Sequence, residues 1–278
     1  MTQSIEHQMT QIYCFVDDFL KAHPKLANWR RSAHSRPRFT DSEVITIALL
    51  QSVFGVATLE GTYLLVARNY RSAFPHVPSY AQWLNRLHLL DAQTSALLAS
   101  TCAHDRLQAR LYLVDGKPIP LCQGLRHGRV RLMREDGARF GKTSKGWFFG
   151  FKLHALRHIN GRLMNLVLTP ANEVDAAAAT VLADGVDGGV AIGDLGYRGE
   201  DCAAALMEEN DTLLITRDIA PQHKFLLSQM RQGIETMFSQ WWHRFIDRVF
   251  SRSWQGLWNT LKLKVLHYNL THAGVLSQ

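Results

Sequence analysis

The 278-residue sequence is poor in cysteine, with only Cys14, Cys102, Cys122 and Cys202. No two lie close enough for a Cys-x-x-Cys pair, which excludes a zinc knuckle, a dithiol redox motif and a dense disulfide framework. A reducing cytoplasm is the expected compartment. The thirteen histidines are scattered and none forms His-Glu-x-x-His, which argues against a zinc enzyme. Long apolar runs are also missing. The most apolar stretch, Val44 to Leu59, is broken by Thr46, Gln51, Ser52 and Thr58. It falls short of the roughly 18 clean apolar residues of a membrane span and reads as a buried helix. No basic stretch followed by an apolar core stands at the N-terminus, so no signal peptide is expected. Internal repeats and low-complexity tracts are absent.

What is present is ordinary for a folded protein: 46% hydrophobic and 20% charged residues, enough for a sizeable core and incompatible with a disordered or fibrous chain. The 31 basic residues exceed the 24 acidic ones, giving a net charge of +7. Such a surplus favours a polyanionic partner, either nucleic acid or an anionic membrane surface.

Periodicity divides the chain. Up to about residue 105 it is helical. Ile12, Phe15, Val16, Phe19 and Leu20 recur at helical spacing, and Pro24 closes that pattern. Thr40-Asp41-Ser42-Glu43 and Ser79-Tyr80-Ala81-Gln82 are capping boxes that open further helices. Short helices with tight turns suit a helix-turn-helix head over 1–105. From about 110 to 217, short apolar runs alternate with helical patterns. Leu111 to Val114 predicts a strand ending at Asp115. Trp147 to Ile159 and Leu163 to Thr169 predict a hairpin turning at Asn160-Gly161. Asp175 is the expected N-cap of a helix over 176–186. Val190 to Ile192 predicts a strand ending at Asp194, followed by a helix over 201–210 and a strand over 212–216. A long helix over 222–244 and a last one carrying Trp254, Leu257, Trp258, Leu261 and Val265 close the chain. The order β-β-β-α-β-α-β-α describes an α/β fold: a ribonuclease-H-like mixed sheet flanked by helices over 106–278, preceded by the all-helical domain.

In a sheet of that order the strands ending at Asp115 and Asp194 are neighbours. A third acidic group has to come from the helix after the last strand, and from Ile219 onward only Glu235 and Asp247 are acidic. Glu235 sits among Ile234, Met237 and Phe238, where a carboxylate needs compensation. Two aspartates and a glutamate are hard oxygen ligands suited to Mg²⁺, with Mn²⁺ as a substitute. Two such ions about 4 Å apart stabilise both the attacking and the leaving oxygen of an in-line phosphoryl displacement.

Four segments carry a family resemblance. Asp115-Gly116-Lys117-Pro118-Ile119-Pro120, Gly193-Asp194-Leu195-Gly196-Tyr197-Arg198-Gly199 and Arg231 to Phe238 (RQGIETMF) resemble the three acidic segments of bacterial insertion-sequence transposases of the DDE class. Gly150-Phe151-Lys152-Leu153-His154 is similar to their second-strand segment. Thr40 to Ile47 and Phe74 to Leu87 resemble the head of the group named after insertion sequence 982. The resemblance implies a metal-binding catalytic triad of Asp115, Asp194 and Glu235. It also implies cleavage at the element's ends and transfer of the freed 3′ hydroxyl into target DNA, with a homodimer on DNA holding both terminal inverted repeats and no membrane involved. Departures from the pattern are Gly116 in place of Ser, Leu195 in place of Lys, and a missing Lys after the glutamate, for which Arg244 or Arg248 are the possible replacements.

Expected DNA contacts lie around these carboxylates. Arg126, Arg129, Lys142 and Lys145 belong to a basic stretch beside the first strand, where each cation neutralising a phosphate strengthens binding. Lys152 and His154 share a strand face. Arg198 follows the second aspartate, and Arg231 precedes Glu235 by one helical turn. Two other functions use the same residues: a metal-dependent ribonuclease-H-like nuclease that cuts without strand transfer, and a non-catalytic, transposase-derived DNA-binding protein.

Overall fold

The computed structural model describes residues 4–27, 37–103, 105, 110–123, 130–143, 146–184, 186, 188–218, 221–241 and 251–276. Two compact units are formed: Met1–Thr101 together with Gln255–Gln278, and Cys102–Trp254.

The first unit is helical. It contains α1 (Ile5–Ala22), α2 (Pro24–Ala27), α3 (Asp41–Phe54), α4 (Leu59–Asn69), α5 (Tyr80–Leu89) and α6 (Asp91–Cys102). Both capping boxes form: the Glu43 amide donates to Thr40 Oγ1 at 3.2 Å, and Ser79 and Gln82 repeat the exchange. Helix α3 is apolar on every side and buried from Val44 to Gln51, as befits a helix at the centre of a core. Its Thr46 hydroxyl is satisfied by the Ser42 carbonyl at 2.7 Å. Gly55, at φ 65°, ends it, and α4 leaves at 102°. A four-residue turn, residues 55–58, joins the two helices. No single described helix is long and apolar enough to cross a membrane.

The unit is discontinuous in sequence. The closing helix α10 (Trp254–His272) contributes Leu263, Leu266 and Leu270 to the core that also holds Ile12, Val16, Ile47 and Trp83. Sequence periodicity assigns that stretch to the sheet domain of 106–278. Periodicity shows that a helix is buried, but not in which core.

The second unit carries a six-stranded mixed sheet. Its strands are β1 (Leu111–Gln123), β2 (Arg139–Thr143), β3 (Gly146–His158), β4 (Leu163–Pro170), β5 (Gly189–Ile192) and β6 (Thr212–Ile215). The spatial order is β2-β3-β1-β5-β6, with β4 also on β3. Pairings among β1 to β4 are antiparallel, and β1-β5-β6 is parallel. Helices α7 (Ala179–Ala183), α8 (Glu200–Asn210) and α9 (Lys224–Trp241) flank the sheet. This mixed α/β arrangement is compatible with a ribonuclease-H-like domain.

Two features differ from expectation. Strand β1 does not stop at Asp115 but continues to Gln123, and β2 is an additional edge strand. Pro118 and Pro120 are tolerated because β1 pairs with β5 only through Leu113. Beyond that residue one side of β1 is an open edge, where a missing N–H costs no ladder bond. The expected helix over 176–186 is a short 3₁₀ turn, Asp175–Ala178, followed by α7.

Arg86, one of the few charges of α5, is committed inside its own unit. It donates to Asp41 Oδ1 at 2.5 Å and to the Phe39 carbonyl at 2.6 Å, and lies over the Phe39 ring. Arg86→Gln should therefore destabilise the helical unit by about 2 kcal/mol, read as a lower Tm, with little change in DNA affinity. Weaker DNA binding at unchanged Tm would show instead that Arg86 is a surface contact.

Candidate active site

The site begins where β1 and β5 part. Leu113 and Ile192 are the last paired residues of the two parallel strands. Asp115 follows on β1 and Asp194 follows β5, so the pairing delivers both carboxylates to the same end of the sheet. Asp194 Oδ1 is fixed by the Gly196 N–H at 2.8 Å, at the start of the 3₁₀ turn Leu195–Tyr197. Asp115 Oδ1 accepts from the Gly116 N–H at 2.9 Å. Burial raises the Asp115 carboxyl from its ordinary 3.8 to about 6, and the Asp194 charge adds to the rise. The Gly116 hydrogen bond and the nearby Arg231 and Lys117 cations oppose it. Two close, partly desolvated carboxylates that repel each other suit a divalent cation.

Helix α9 covers the face of the sheet that carries Asp115. A Cβ on Gly233 would stand 2.7 Å from the Arg157 guanidinium and 3.5 Å from Leu113. One turn on, the Lys117 ammonium lies 5.9 Å from the centre of the Phe238 ring. These contacts bracket Asp115 on the strand and Glu235 on the helix. Glu235 itself is half exposed, at 54%, and ion-pairs with Arg231 at 3.3 Å. Among the described residues, no three of His, Cys, Asp and Glu come together as a metal site. The structure thus pairs Asp115 with Asp194 and puts Arg231 beside them, while the Glu235 carboxylate is turned to Arg231.

Lys152 and His154 lie elsewhere, and their expected DNA contacts need correction. The register sets His154 opposite Gly116, one residue out of phase with Asp115, so strand alternation sends this pair to the opposite face. His154 is fully buried. Its Nδ1 bonds the Tyr197 hydroxyl at 2.7 Å and its Nε2 the Thr169 hydroxyl at 3.0 Å. Burial lowers its pKa to about 4, so it is neutral and offers DNA no charge. The Lys152 ammonium donates to Asp175 at 2.6 Å and to the Glu173 carbonyl at 3.0 Å. Asp175, the expected helix cap, makes this ion pair instead. A Cβ at Gly196 would come within 2.3 Å of Asp175 Oδ2, so the network underlies the turn that fixes Asp194. A Cβ on Gly116, where the resemblance has serine, would meet His154 Nδ1 at 3.1 Å, a tight contact with a ring held by two hydrogen bonds.

Arg198 is exposed just beyond the same turn. Lys142 is exposed on β2, 5.8 Å from the ring centre of Trp147, itself exposed. Arg126, Arg129, Lys145, Arg244 and Arg248 lie outside the described residues. Tyr197 lies in the segment around Asp194 that carries the resemblance. Sequence reasoning did not place Asp175, Arg217, Lys224 or Ser228 near the site, because tertiary structure alone brings them there.

Residues 106–242 match the transposase DDE domain family. The matched segment spans most of the sheet-bearing unit and includes Asp115, Asp194 and Glu235. It supports a DDE-class transposase, with the DNA recombination and nuclease-type activity that such domains imply. Neither curated proteins nor solved structures gave a match.

The raised Asp115 pKa has a signed consequence. The folded state holds this proton more tightly than the unfolded chain, so ionising Asp115 costs stability as pH rises from about 4 through 6. Asp115→Asn should therefore raise the Tm at pH 7.5, by roughly 5 °C for about 2 kcal/mol. The gain should fade towards pH 4. Thermal melts of both proteins across this range check it, and a pH-independent difference would refute it.

Proposed function

We propose that this protein is a DNA transposase of the DDE class, of the group named after insertion sequence 982. In this reading it cleaves at the ends of its element and joins the freed 3′ hydroxyl to target DNA. The observation that supports it best is the Asp115–Asp194 pair at the ends of adjacent parallel strands, inside the segment that matches the transposase family.

Asp115 and Asp194 would hold the divalent ion, Mg²⁺ or Mn²⁺, with Glu235 as the third ligand from α9. When bound, such an ion supplies charge neutralisation for the attacking and leaving oxygens of phosphoryl transfer. The protein's own groups do the rest. Asp115 must lose its proton to serve as a ligand, so metal binding should weaken progressively as the pH falls below about 6. The Arg231 guanidinium stands beside both Asp115 and Glu235, poised to exchange Glu235 for a phosphate oxygen. Lys117 adds positive charge on the same face. The helical unit would hold terminal inverted repeats, and a homodimer on DNA would bring two ends together.

Asp115→Asn, Asp194→Asn and Glu235→Gln should each reduce Mg²⁺-dependent cleavage of the element's ends to background while metal-free DNA binding persists. Full cleavage by any one variant would remove that residue from the site. Transfer of a labelled 3′ end into a plasmid separates transposition from a nuclease that only cuts.

A further inference from the structure

A pocket of about 190 Å³ opens beside Asp194. Its polar walls are Asp194, Arg217, Lys224, Ser228 and Arg231. Arg217 follows β6. Lys224, Ser228 and Arg231 stand at i, i+4 and i+7 on the first turns of α9 and so share one face.

Three cations round one small cavity repel each other unless something negative joins them. Asp194 in the wall, and Glu235 through Arg231, offset part of this charge, but three cations still outnumber the one lining carboxylate. Neither Arg217 nor Lys224 ion-pairs with a described carboxylate. Arg231 reaches Glu235 through one terminal nitrogen, and its buried Nε has no partner. Helix α9 has no acidic residue in its first turn, so the positive end of its dipole adds to the same field. A hydroxyl from Ser228 offers a further donor. Multiple cationic donors with one hydroxyl are the chemistry of a phosphate site. Arg217, Lys224 and Ser228 are exposed, so the pocket is open enough for a group carried on a passing strand.

We propose that this pocket holds one backbone phosphate of the DNA strand that enters the active site. Arg217 and Lys224 are its charge partners and Ser228 its hydroxyl donor. The contact fixes the strand's register against Asp115 and Asp194. The ligand rests on the transposase reading. The site itself rests on the pocket and its unpaired cations, Arg217 and Lys224. None of Arg217, Lys224 and Ser228 belongs to the acidic segments that carry the family resemblance.

Metal-free binding of a duplex oligonucleotide of the element's end, followed by fluorescence anisotropy from 50 to 300 mM salt, tests the proposal. Every phosphate of B-form DNA that a protein ceases to neutralise lowers the slope of log K against log salt by about 0.9. The double variant Arg217→Gln with Lys224→Gln should lower the slope by about one, bind roughly tenfold more weakly at 100 mM salt, and cut at scattered positions. Its Tm should stay unchanged, because both side chains are exposed. Lys224→Arg, which keeps the charge, should retain the wild-type slope. An unchanged slope in the double variant, with wild-type protein that binds and cleaves, overturns the pocket assignment and leaves the transposase reading intact. Wild-type protein that binds no DNA overturns both.

Discussion

The architecture of the sheet unit turns on one electrostatic conflict: Asp115 and Asp194 are held close together in partly buried positions. The Asp194 charge adds to the cost of ionising the buried Asp115. The fold does not relieve the conflict by separating them. It pins both side chains with backbone N–H groups, from Gly116 and Gly196, and surrounds them with Arg231 and Lys117. A site that retains repulsion while fixing its geometry is preorganised for a cation and for the phosphate oxygens that accompany it.

The two faces of the sheet divide the labour. On the α9 face lie Asp115, Lys117 and the helix bearing Arg231 and Glu235. On the other, His154 links Tyr197 to Thr169, and Lys152 pairs with Asp175 under the Asp194 turn. The buried His154 is satisfied at both ring nitrogens, as an interior polar side chain must be. Lys152 and His154 thus belong to the support of the site. The glycine at position 116 leaves room for the His154 ring of this support.

How much of this was legible in the sequence depends on the residue. Leu111 to Val114 and Val190 to Ile192 are short apolar runs, and runs of that kind report buried parallel strands well. Their neighbourhood followed from the order of elements, and with it the meeting of Asp115 and Asp194. The continuation of β1 through Pro118 and Pro120 was not legible, because proline ordinarily argues against a strand and the open edge that permits it is a tertiary fact. Alternation shows that Lys152 and His154 share a face. Which face depends on register, which a single strand does not encode. Glu235 was visible as the lone acid among apolar neighbours, but its pairing with Arg231 is a choice between competing partners made in space. Arg217 and Lys224 were invisible for a similar reason, since a loop and a helix start meet only after folding.

Helix α10 gives the helical unit an unusual dependence on synthesis order. Leu263, Leu266, Leu270 and Leu276 complete a core whose other buried members come from the first hundred residues. The intervening sheet unit must emerge from the ribosome before that core can close. A message cut short after the catalytic segment would yield a chain with all three acidic residues but an unfinished head. Only translation through α10 joins a finished helical body to the chemistry.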